Sequence, residues 1–168
     1  MPESSSTPNL PDKTRVRDAA LALLETEHKK LRRLAEETRS GATHVEAKAE
    51  NDKDTRGLEM SYLARGQAMR VEEIDETIKR LRFVNLRPVG DEPIDLGAMV
   101  RVLVDDEPRC FFVVPAGGGT KVEVDGIAVA LLSPASPVGR ALIEKHEGDD
   151  FELRVGGKVR LHEIDRVW

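Results

Sequence analysis

Residues 133–153 read Ser133-Pro134-Ala135-Ser136-Pro137-Val138-Gly139-Arg140-Ala141-Leu142-Ile143-Glu144-Lys145-His146-Glu147-Gly148-Asp149-Asp150-Phe151-Glu152-Leu153. Proline fixes its own φ near −65° and pushes the preceding residue toward extended backbone, so two Ser-Pro steps in five residues leave this loop little freedom. Ser136 followed by Pro137 has the form of an N-cap with proline in the first helical position, which predicts a short helix starting there. Gly148-Asp149 ends that segment, and the alternation Phe151, Leu153, Val155 predicts a strand.

Working back from this stretch, the chain is period two as far as Leu86. Val100, Val102 and Val104 alternate, Asp105-Asp106-Glu107-Pro108 turns, and Phe111 to Val114 is an apolar run. Gly117-Gly118-Gly119 makes a loop, Val122 and Val124 alternate, Asp125-Gly126 is a strong hairpin turn, and Ile127 to Leu132 leads into the Ser-Pro loop. After it, Gly156-Gly157 joins Phe151–Val155 to Lys158–Leu161, and Ile164, Val167 and Trp168 follow. The expectation is a small antiparallel β domain over residues 94–168 carrying one helix, preceded by a linker, Arg87 to Pro93.

Before residue 87 the period changes to 3.5. Leu21, Leu24, His28, Leu31, Ala35, Thr38, Ala42, Val45 and Ala49 form one seam, and Met60, Ala64, Gln67, Val71, Ile74, Ile78 and Leu81 a second. Facing residues of an antiparallel pair have numbers with a constant sum. Ala49 with Met60, Val45 with Ala64, Thr38 with Val71, Leu31 with Ile78 and His28 with Leu81 all give 109. This predicts a coiled-coil hairpin over residues 12–86 turning between Asp54 and Thr55, with arms on the order of 40 Å at about 1.5 Å per residue. Gly41 is its weak point, a place to fray or kink, and Thr38 and Gln67 put polar groups in the seam. An intermolecular zipper is the alternative use of the same heptads. Residues 1–11, rich in Ser and Pro, are expected to be a disordered tail.

Charge bounds the partners. Residues 12–87 hold 17 Lys+Arg against 15 Asp+Glu, and residues 88–168 hold 9 against 15. Neither half has the basic clustering that displaces counterions from DNA, so autonomous DNA binding is not expected; an acidic domain suits a basic protein surface. The lone Cys110 has no intramolecular partner and no activating motif. The four histidines lack metal-ligand spacing, Gly117–Gly119 lacks the Lys-Ser/Thr of a P-loop, and no nucleophile with its base can be named. With no apolar run of membrane-spanning or signal-peptide length, a cytoplasmic protein without a membrane partner is expected.

The pattern S-P-x-S-P-x-x-x-A-L-x-x-K-x-x-G-D formed by residues 133–149 resembles the signature of the C-terminal domain of the bacterial Gre transcript cleavage factors, and the resemblance extends over residues 13–168. It implies an α+β chain: an N-terminal coiled-coil hairpin followed by an FKBP-like domain. It also implies a monomer that partners bacterial RNA polymerase, docking at the rim of the secondary channel through Ser133, Pro134, Ser136 and Pro137. The hairpin tip then enters the channel, where acidic residues help hold a magnesium ion shared with the polymerase, so that the polymerase cleaves backtracked RNA and the factor itself is no nuclease. Magnesium prefers hard oxygen ligands with waters retained, so one or two carboxylates can complete such a site.

The tip runs from Glu50 to Glu59, and the resemblance assigns Asp52 and Asp54 to the metal, with Glu59 assisting in the catalytic role. Lys53, Arg56 and Arg65 are assigned to the backbone of the RNA 3′ end. One departure is plain. With Asp54 on the first acidic position of the family tip, D-x-x-E-N-A-x-Y, Gly57 stands where the second carboxylate belongs, and Tyr62 falls one residue late. Three alternatives stay open: a channel binder that inhibits or modulates without cleavage, an FKBP-like prolyl isomerase or chaperone module, and a coiled-coil dimerisation protein.

Overall fold

A computed structural model describes residues 10–46 and 55–168, and the side chains of all of these except Ala42, Val45, Glu46 and Val155. Residues 1–9 of the predicted tail and residues 50–54 of the predicted tip, Asp52, Lys53 and Asp54 included, lie outside the described residues, while Pro11, expected in the disordered tail, is buried. The chain divides into two compact units, one of residues 21–80 and one of residues 1–20 with 81–168.

The first unit is a helical hairpin. Helix α1 runs Lys13–Glu46 and α2 Thr55–Arg82. Asp12 caps α1, its Oδ1 accepting from the Arg15 amide at 3.0 Å. Every described seam position is buried or half-buried, with Leu24, Ile74 and Ile78 at 7% exposure or less. The outer faces carry ion pairs at helical spacing, Arg33 with Glu37 and Lys79 with Asp75.

The register differs from expectation. A Cβ on Gly41 would stand 3.1 Å from Met60 Cε, and Arg70 reaches Glu27 at 4.0 Å. The numbers of these pairs add to 101 and 97. Both fall short of 109, so the helices pair displaced from the expected register by about a heptad or more. Thr55, expected at the turn, is already helical. A heptad repeat pairs equally well with itself seven residues along, so the seams alone do not choose the register. Helix α1 also passes through Gly41 unbroken, because the missing Cβ leaves room for the Met60 methyl.

Gln67 sits in the seam with its Oε1 buried and without a hydrogen-bond partner among the described residues. Removing an unsatisfied buried acceptor while keeping side-chain volume recovers its desolvation cost. Gln67→Leu is therefore expected to stabilise the hairpin by about 1–2 kcal/mol, read as a raised urea midpoint for the loss of helical circular dichroism.

The second unit is built on a six-stranded sheet: β1 Met99–Val104, β2 Glu107–Val113, β3 Lys121–Val124, β4 Ile127–Leu132, β5 Asp150–Val155 and β6 Lys158–Val167, in the spatial order β3-β4-β2-β1-β6-β5. Three hairpins close on two-residue turns in left-handed backbone, Asp105-Asp106, Asp125-Gly126 and Gly156-Gly157, as tight twisted hairpins require. Pro108 is thus inside β2, opposite Leu103, and not in the turn.

The expected all-antiparallel sheet is corrected in one place: β2 and β4 run parallel, with Cys110 beside Val129 and Val113 beside Leu132. The β3–β4 hairpin folds back so that β4, its second strand, lies against β2 and β3 takes the edge. Alternation tells which face a residue takes but not which strand lies next to it.

The short helix α3, Pro137–Leu142, covers one face of the sheet. The core there is Val100, Val102, Val104, Val113, Leu132, Leu142 and Ile164, with Ile94 and Ala98 from the approach to β1. On the opposite face Met99, Phe112, Val129 and Leu131 are also buried. The start of α1 belongs to this unit. Val16 and Ala20 are fully buried, Arg15 pairs with Asp125, and the Trp168 indole donates to the Pro11 carbonyl at 3.2 Å.

Lys13 is the unexpected member of this set. Its Nζ donates to the carbonyls of Arg87 at 2.7 Å and Gly97 at 2.8 Å, and burial lowers its pKa from 10.5 to about 8. Below pH 8 both folded and unfolded chains hold the proton and the fold carries the whole desolvation cost. Between pH 8 and 10.5 the unfolded chain binds more protons, so stability rises with pH there and levels off above. A gain of about 1–3 kcal/mol between pH 7.5 and pH 10.5 is expected from urea unfolding of this unit, and Lys13→Met should abolish it.

Candidate functional site

The Ser-Pro loop is held from within. Ser136 is extended at φ −69° and ψ 158°, with Pro137 beginning α3 behind it. Its Oγ accepts from the Gly139 amide at 3.0 Å and donates to the Ser133 carbonyl at 2.8 Å, while the Ser136 amide donates to the same carbonyl at 3.0 Å. Ser133 Oγ accepts from the Ala135 amide at 3.2 Å. One serine thus caps the helix and ties the loop back on itself.

Two glycines clasp the loop. A Cβ on Gly139 would come 2.1 Å from the Ser133 carbonyl oxygen, and one on Gly118 would come 2.9 Å from Ser133 Cβ. The parallel β2–β4 pairing explains this neighbourhood, because both strands deliver their following loops to the same end of the sheet, the Val114 amide donating to Leu132 O at 3.0 Å. Ala135 and Pro137 are exposed, while Ser133, Pro134 and Ser136 are half-buried. The loop is rigid and uncharged and carries no reactive group.

Of the residues assigned to metal or RNA at and beyond the tip, Arg56, Glu59 and Arg65 are described, all exposed on α2. Gly57, which the resemblance sets at the second carboxylate position, is buried in the first turns of α2. Among the described residues no group of three His, Cys, Asp or Glu side chains is placed to hold a metal ion. Glu59 is the one predicted metal-assisting carboxylate that can be located, so the described residues alone do not make a magnesium site.

Arg65 has company that the sequence did not reveal. It lines a shallow groove of about 400 Å³ floored by Ala35, Ala64 and Ala68 and flanked by Arg32 and Arg39 of α1, with Glu36 and Glu72 at its sides. Three arginines from two helices around a small-residue floor suit a phosphate backbone better than one does. Only the shifted register brings Arg32 and Arg39 to Arg65, and heptad pattern alone carried no signal for it. No described helix is long and apolar enough to cross a membrane.

No family model matches the chain. It is 29% identical over 100 residues to the transcription elongation factor GreA of Rhodospirillum rubrum, an alignment covering 58% of this chain and 60% of that protein. Over the same length and coverage it is 30% identical to the GreA of Bartonella henselae. The chain thus spans about 60% of the length of the curated relatives it matches. Among solved structures, Gfh1 of Thermus aquaticus aligns with 22% identity and a TM-score of 0.37, covering 89% of this chain and 94% of that one. The GreA/GreB elongation factor of Nitrosomonas europaea aligns with 21% identity and a TM-score of 0.35, covering 66% and 91%.

Proposed function

We propose that this protein is a Gre-type factor that binds bacterial RNA polymerase in its secondary channel and modulates or inhibits the enzyme without stimulating transcript cleavage. Supporting the binding half are the helical hairpin, the preorganised loop from Ser133 to Pro137, and sequence similarity to transcription elongation factors. The observation that carries the modulating half is Gly57, a residue with no side chain, buried where the family tip presents its second carboxylate. The Arg32, Arg39 and Arg65 groove gives the hairpin a surface for an RNA backbone, and an acidic second unit suits a basic docking site on the polymerase.

A second reading, cleavage assistance, is favoured by Glu59, which is exposed two residues beyond Gly57. In that reading Asp52 and Asp54 supply hard oxygen ligands to the polymerase's magnesium and Glu59 replaces the missing carboxylate, the polymerase remaining the nuclease.

One experiment decides between them: polymerase stalled on a template with backtracked, end-labelled RNA, mixed with the protein and, in parallel, with an authentic cleavage factor. The expected result is that this protein displaces the cleavage factor and slows elongation while leaving the RNA full length. Shortened RNA that disappears in an Asp52→Ala, Asp54→Ala double variant would establish the second reading. Failure to displace the cleavage factor at tenfold excess would remove both.

A further inference from the structure

A groove of about 610 Å³ opens in the sheet unit, at the end opposite to the Ser-Pro loop. Its position follows from the register. Arg101 and Leu103 alternate with Val100, Val102 and Val104, so they point away from the core under α3, and the turns Asp105-Asp106 and Asp125-Gly126 form the mouth. The floor is apolar, made by Leu103, Pro108, Cys110 and Ile127, with Leu10 of this chain's own N-terminal segment at its side. Burial raises the Cys110 pKa, which keeps the thiol uncharged within that floor.

The polar part of the groove is small and specific. Arg101, with only 14% of its side chain exposed, pairs with Asp165 through Nε. That pairing neutralises the guanidinium and uses one of its donors, leaving the Nη groups for an incoming carbonyl. The remaining lining charge is Asp106, exposed at the mouth. An apolar cavity of this size with a few convergent polar groups is the ordinary form of a binding site. Its residual negative charge selects against an anionic occupant.

We propose that this groove binds an extended segment of a partner protein in which an apolar side chain, seated on the floor, is flanked by a lysine or arginine that meets Asp106. The Arg101 guanidinium takes a main-chain carbonyl of that segment. This site is separate from the Ser-Pro loop, and its occupation does not depend on polymerase binding.

The probe is a fluorescein-labelled hexapeptide alternating leucine and lysine, compared by anisotropy with its leucine-glutamate counterpart on the full chain. The lysine peptide is expected to bind at least about tenfold more tightly, with a preference that shrinks as salt screens the carboxylates. Leu103→Trp places a ring in the groove from a half-buried strand position on its own face and should weaken the lysine peptide at least about tenfold, with the thermal midpoint within a few degrees of the parent. Asp106→Asn, a substitution that tolerates the left-handed backbone there, should narrow the preference about threefold or more without touching the core. Equal affinity for the two peptides, or binding indifferent to both variants, would overturn the proposal. So would lysine-peptide binding that appears only after residues 1–9 are removed, since the occupant would then be this chain.

Discussion

Gly139→Ala is expected to lower the stability of the sheet unit by about 3 kcal/mol or more, seen as a fall in its urea midpoint with the hairpin's helical signal retained. The cause is backbone against backbone. The added methyl would sit 2.1 Å from the Ser133 carbonyl oxygen and 3.0 Å from Pro134 Cα, and neither is the end of a flexible side chain. Ser133 cannot withdraw freely, because its carbonyl accepts from both the amide and the hydroxyl of Ser136. Pro134 and Pro137 remove the two torsions that would otherwise absorb the shift. A protein that keeps its midpoint within 0.5 kcal/mol would show that the loop yields and that its rigidity is not fixed by this contact. If the loop docks as proposed, the variant should also lose polymerase binding at temperatures where the sheet is still folded.

The second large effect is expected at Gly97, where Gly97→Ala should cost about 3 kcal/mol or more. Here φ is +88°, a conformation that side chains rarely take, and the new Cβ would fall 2.0 Å from the Asn85 carbonyl oxygen. The residue is also tied at both ends of its peptide: its amide donates to Val113 O at 2.8 Å, and its carbonyl accepts from Lys13 Nζ. Moving it to relieve the clash would strip the buried Lys13 of one of its two acceptors. The substitution should therefore also shift the pH dependence assigned to Lys13, which a purely local steric effect would leave alone. A stability loss with an unchanged pH profile would separate Gly97 from the lysine.

Much of this architecture was legible in advance, and the misses have physical causes. The Ser-Pro loop could be read because proline and an N-cap serine constrain the backbone by their own stereochemistry, whatever packs around them. The helical seams could be read because burial follows period, and each described seam position is at least half-buried. Register could not, since heptads are nearly degenerate under a seven-residue slip, and with it went the meeting of Arg32 and Arg39 with Arg65. The parallel pairing of β2 with β4 was hidden for a related reason, the pleat specifying faces but not neighbours. Lys13, set among charged residues in Asp12-Lys13-Thr14-Arg15, gave no hint that its ammonium would be buried against two carbonyls. The tip carboxylates were assigned by resemblance alone, and Asp52 and Asp54 fall outside the described residues.

The pairing of β1 with β6 bears on how the molecule is assembled. Val100 lies opposite Val167, and the amides and carbonyls of Met99 and Trp168 bond reciprocally at 2.9 Å, so the central strand is completed by one made almost seventy residues later. Closing so long a stretch of chain is slow compared with zipping two helices joined by a short connection. During synthesis the hairpin is expected to form first. The Pro11 carbonyl, just before α1, then gains the Trp168 indole as its donor only after β6 has been made.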